Sequence, residues 1–131
     1  MFGKLALTPA QVNPNYIQCV KHSNNIQINY KHAILKLNSL TILINVNRPI
    51  HKGTTLGYIP KGILNKLINL EHAILDKWRT DKHPCFLITK ELAKYQHTTS
   101  KPFTKVLIEI SGIWENRCQY GLIYNISNIG I

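Results

Sequence analysis

The chain has 131 residues, 44% of them apolar and 17% charged, so it reads as one folded domain, too short for two and too apolar for a disordered basic tail. Its formal net charge of +10 is unevenly spread: residues 1–70 hold eight Lys and Arg and no acid (+8), while residues 71–131 hold eight against six acids (+2). Solubility is served by a surface of mixed sign, so an acid-free half points to a polyanion, either nucleic acid or an anionic membrane surface.

Residues 1–25 are expected to be a largely irregular N-terminal segment, because Pro9 and Pro14 interrupt any helix and Ser23-Asn24-Asn25 reads as a turn. Ile26, Ile28 and Tyr30 then alternate with Gln27 and Asn29, and the β-branched run 40–46 alternates with Thr41 and Asn45. These are two strands, with Asn38-Ser39 expected to close a hairpin between them. A third strand is expected over 56–59, between Gly53 and Pro60.

The clearest helix covers about 62–79, with Leu64, Leu67, Ile68, Ile74, Leu75 and Trp78 on one face and Glu71 the single misfit among them. Pro84 stops it, since the residue before a proline avoids helical backbone. Strand character returns at 85–89, followed by a short turn of helix at 90–95. The strongest strand is 105–114, where Val106, Ile108 and Ile110 share one side. Glu115-Asn116-Arg117 reads as a turn, and 122–126 returns with Leu122, Tyr124 and Ile126 on one face. Gly112 within the first arm marks a bulge or bend.

The resulting order, β-β-β-α-β-β with one main helix, predicts a β-rich α+β fold over residues 1–131. Its form would be a small antiparallel barrel or curved sheet like the oligonucleotide-binding type, or a plainer sheet with one helix.

Cys19, Cys85 and Cys118 are odd in number and far apart, which argues against a disulfide framework and for a reducing compartment. There is no secretory apolar segment and no run near the roughly 20 residues that cross a bilayer. The expectation is a soluble protein of the cytoplasm or nucleus of the host cell, with no membrane partner. The many Ile, Asn and Lys residues have A/T-rich codons and point to an A/T-rich genome, such as that of a virus or mobile element.

A binder of single strands needs rings for bases to stack on and cations to follow the phosphates. Tyr30, Tyr58, Tyr95 and Tyr124 are the candidate rings, and Lys31, Lys36, Arg48, Lys52 and Lys61 the candidate phosphate contacts. Trp78 reads as core. Trp114 is balanced between core and platform, because it ends the Val106 face yet sits beside a turn.

Cys19-x-x-His22 and His83-Pro84-Cys85 could together complete a zinc site of two cysteines and two histidines, but His-x-Cys is not a usual half-site and nothing in the sequence fixes the two pairs close in space, so free thiols and surface histidines are expected. The acids are scattered, and the chain carries no Gly-rich phosphate loop, dinucleotide fingerprint or zinc-deaminase pattern. No catalytic residue, metal, cofactor or small-molecule substrate is therefore expected.

The expected function is non-enzymatic binding of single-stranded DNA or RNA with little sequence specificity. The alternative is a structural or interaction protein, for example a viral particle component or a host-factor antagonist, whose basic surface docks a polyanion or an acidic protein. An exposed edge strand would give a route to a homo-oligomer.

Overall fold

The computed structural model describes residues 6–23, 25–32, 35–45, 50–51, 54–55, 61–78, 80–92 and 105–129. Its longest ladder is the predicted C-terminal hairpin, in which β9 (Lys105–Glu115) and β10 (Gln119–Ile129) pair antiparallel over their whole length. Asn116 closes the turn, its side-chain oxygen accepting the N–H groups of Cys118 at 2.9 Å and Gln119 at 2.7 Å. The register slips between Ile123 and Tyr124, where Ser111 is the extra residue on β9. The bulge thus falls next to the glycine that marked it in the sequence.

Five further strands extend this hairpin. β5 (Leu40–Asn45) lies antiparallel to the first half of β9, Leu40 opposite Ile110. β3 (Asn25–His32) meets β9 near its end, with Ile26 opposite Ile113 and Gln27 opposite Gly112. β2 (Ile17–His22) and β4 (Leu35–Leu37) flank β3. β1 (Ala6–Leu7) runs parallel to β5.

A small separate pair is formed by β6 (Ile50–His51) and β7 (Thr54–Thr55). On the other side of the hairpin, β8 (His83–Cys85) runs parallel to β10. With these two parallel edges the eight-stranded sheet is mixed and unclosed, and the fold is β-rich α+β.

One face of the sheet is apolar and carries the helices. Ile26, Ile28 and Tyr30 of β3, Leu40, Ile42 and Ile44 of β5, and Val106, Ile108, Ile110 and Ile113 of β9 form one core with Leu67, Leu70, Ile74 and Leu75 of α1 (Lys61–Lys77). α2 (Leu87–Leu92) adds Ile88 and Leu92. Each such side chain contributes about 1.5–3 kcal/mol when fully buried.

Several expectations are corrected. Within the described residues 6–23 the N-terminal segment is not largely irregular: β1, a 3₁₀ turn at Pro14–Tyr16 and all of β2 lie there. As an edge strand β2 fully buries only Ile17, so its alternation is faint, and Ser23 at φ 52° begins the turn into β3.

Asn38-Ser39 does not join two paired strands. It is a bend at which the chain leaves β3, paired through β4, and moves to β9 through β5. The strand expected over 85–89 ends at Cys85, and helix begins at Leu87, ahead of the expected turn at 90–95.

The cause of that early helix is Glu71, the misfit of the α1 face. Only 1% exposed, its carboxylate accepts the N–H of Ile88 at 3.0 Å, the N–H of Thr89 at 2.9 Å and the Thr89 hydroxyl at 2.6 Å. It does for α2 what a capping side chain does at its own helix start. The strand expected at 56–59 lies outside the described residues.

Candidate nucleic-acid interface

Side chains alternate along a strand, so burying Ile26, Ile28 and Tyr30 sends Gln27, Asn29 and Lys31 to the face away from the helices. Directly opposite residues in an antiparallel pair share a face. Gln18 and Val20 of β2, Lys36 of β4 and Gly112 of β9 therefore belong with them.

On this outer face Lys31 stands directly across from Lys36, both exposed. Like charges so placed have Cβ atoms about 4.5–5.5 Å apart and destabilise the ladder. Beside them the side-chain oxygen of Asn29 is buried and has no hydrogen-bond partner among the described residues, as is the case for the Thr41 hydroxyl on β5. A buried acceptor left unpaired is costly.

The acids gather elsewhere. Glu71 and Asp76 belong to α1, Glu91 to α2, and Asp81 to the connection into β8. Glu115 accepts from the Trp78 indole N–H at 2.9 Å and pairs with Lys82 at 3.4 Å. The Trp78 hydrogen bond first, and Lys82 beside it, hold its carboxyl below the usual range. Among the described residues Glu109, opposite Thr41 and Asn125, is the one acid on the outer face.

The expected site residues divide as follows. Lys31 and Lys36 come together on the outer face. Lys61 is exposed but opens α1, on the helical layer.

Tyr30 is corrected: it is 3% exposed, a core ring with no face to offer a base. Its hydroxyl accepts the Asn13 N–H at 3.1 Å and donates to the Gln11 carbonyl at 3.5 Å, and its ring meets Tyr16 edge-on with centroids 6.1 Å apart. Tyr124 is also on the helix side, half-buried, donating to Glu91 at 2.8 Å. Burial first, and then Glu91, push its phenol up to about 12. Arg48, Lys52, Tyr58 and Tyr95 lie outside the described residues.

The outer-face ring is Trp114. Strict alternation from Val106 would bury it, but the extra residue at Ser111 reverses the parity, sending Ile113 into the core and Trp114 outward. Gly112 was the sequence signal that could have found it. Trp78 is partly buried against the core, as expected.

The zinc reading fails on distance. Cys19 and His22 lie on β2 and His83 and Cys85 on β8, with β3, β9 and β10 between them. Four strand spacings amount to about 19 Å. Among the described residues no group of three or more His, Cys, Asp or Glu is placed to hold a metal ion. Burial pushes the Cys19 thiol up, opposed by Lys77, so it is held as the neutral thiol. No described helix is long and apolar enough to cross a membrane.

Comparison with protein-family models, curated proteins and solved structures returns no match for this chain.

Proposed function

We propose that the protein is a non-enzymatic binder of single-stranded DNA or RNA that lays the strand along the outer face of its sheet. The observation that carries this reading is the Lys31–Lys36 rung. Two cations opposed across a ladder, in a half of the chain without one acid, repel each other in the unbound protein, and a phosphate between them turns that repulsion into attraction.

The neighbouring groups support the same reading. Gln27, half-buried on the same face, offers a polar contact to sugars or bases. The bulge at Ser111 is a device that bends a strand and curls a sheet, which supports an oligonucleotide-binding type of surface over a plain flat layer. With little base-specific chemistry in lysine, the binding is weakly dependent on sequence.

The test is a titration with labelled single-stranded homopolymers and with duplex across a range of salt concentrations. Single strands are expected to bind more tightly than duplex, with log K falling linearly in log salt. Replacing both lysines by Ala should lower that slope by about 1.4, two contacts at roughly 0.7 each.

Lys36→Glu separates function from fold: it replaces a repulsive pair by an attractive one, adding roughly 0.2–1 kcal/mol of stability while weakening binding. Equal affinity for single strands and duplex, with salt slopes unchanged in the Ala variant, would refute the proposal.

A further inference from the structure

We infer that the tip of the β9–β10 hairpin is a stacking site for one unpaired nucleobase, with Trp114 as its platform and Arg117 as the contact for the adjoining phosphate. The inference rests on the proposed function and adds the position and chemistry of a base site.

The first observation is how Trp114 is held. An aromatic ring on the outer face of a strand ordinarily packs against the side chain across the ladder. Here the residue across is Gly121, which has none. A Cβ placed there would lie 2.8 Å from Cζ2 and 2.9 Å from both Cε2 and Nε1 of Trp114. The indole therefore lies down across the Gly121 backbone, one side supported and the other turned to an open groove of about 610 Å³. Its N–H makes no hydrogen bond among the described residues.

The second observation is what surrounds the ring. Ile123 lines the same groove and is the one large hydrophobic exposed among the described residues, at 46%. Asn25 supplies an amide at the rim. Glu115 is already tied to Trp78 and Lys82, while the Arg117 guanidinium has no hydrogen bond or ion pair among the described residues. A slot of mixed polar and apolar lining that offers a flat ring, an amide and an uncommitted guanidinium matches a base joined to its phosphate better than it matches an apolar peptide.

The third observation is continuity with the lysine rung. Gln27 pairs with Gly112, two residues from Trp114, and Lys31 stands four residues along β3 in the opposite direction. Six residues of extended chain separate the ring from the rung, on the order of 20 Å. A short single strand spans that distance, with phosphates at one end and a stacked base at the other.

The chain has two tryptophans, so Trp78→Phe leaves Trp114 as the sole indole reporter. In that background a short oligothymidylate is expected to quench the fluorescence. In the full chain Trp114→Ala should weaken oligothymidylate binding by about 5- to 150-fold, the range of one lost stacking contact. Trp114→Phe, a milder change that guards against a folding defect, should retain most of the affinity. Arg117→Ala should lower the salt slope by about 0.7.

If the lysine variants lose affinity while Trp114→Ala binds as wild type and oligothymidylate leaves the fluorescence of Trp78→Phe unquenched, the base site is wrong and the proposed function stands. If the wild-type chain binds no oligonucleotide, both fall. Quenching by an anionic phospholipid vesicle, and not by oligothymidylate, would give the groove to a membrane surface and overturn the inference.

Discussion

Glu71→Ala is the sharpest test of how this chain builds its helical layer. The carboxylate is 1% exposed and accepts three hydrogen bonds, two of them from the backbone N–H groups of Ile88 and Thr89 at the start of α2. Truncation leaves both donors without a partner, at about 1–3 kcal/mol each, so the expected loss is roughly 2–6 kcal/mol. Water entering the vacated space would bring it to the lower end.

A domain holds only about 5–15 kcal/mol in total. At about 3–5 °C per kcal/mol for this length, the melting temperature should fall by about 6–30 °C. Glu71→Gln keeps one acceptor oxygen but turns an amide N–H toward a backbone donor, and should cost about 1–3 kcal/mol. Thr89→Val removes only the hydroxyl bond and should cost less than either. Urea unfolding followed by circular dichroism reads all three. An Ala variant within about 1 kcal/mol of wild type, at unchanged m-value, would mean that the carboxylate does not hold α2.

Two further outcomes follow from single residues. The Tyr124 phenol is pushed up to about 12 in the fold, against about 10 when unfolded, so the fold favours the neutral form. That contribution is complete below about pH 10 and is lost as pH rises toward 12; Tyr124→Phe should abolish this part of the alkaline loss of stability, and an unchanged profile would exclude the Tyr124 phenol as its source.

Gly112→Ala places a Cβ 2.5 Å from the backbone carbonyl oxygen of Ile26, which cannot swing aside, whereas Gly121→Ala meets only the Trp114 ring. Thermal unfolding should show a loss of about 2–3 kcal/mol for the former and less for the latter, with altered tryptophan emission in Gly121→Ala; equal costs would contradict the close approach of β3 to β9.

The sequence by itself determined what depends on local pattern. The alternation in β3, β5 and β9, the apolar stripe of α1, the hairpin turn and the acid-free half are all fixed by which residue types recur at which spacing, and the strands and helix form where that pattern puts them. Its two anomalies, Glu71 on an apolar stripe and Gly112 inside a strand, marked the right positions without saying what they were for.

Only the tertiary structure decided their purpose, because each acts on a partner distant in the chain. Glu71 reaches a helix start 17 residues away, a span that no periodicity encodes. The extra residue at Ser111 exchanges the faces of Ile113 and Trp114, and a shift of one residue is invisible until a partner strand fixes the register. The rings chosen from sequence suffered for the same reason. Tyr30 and Tyr124 alternate as any surface tyrosine would, and it is distant chain that covers them, Gln11–Tyr16 over the first and α2 over the second.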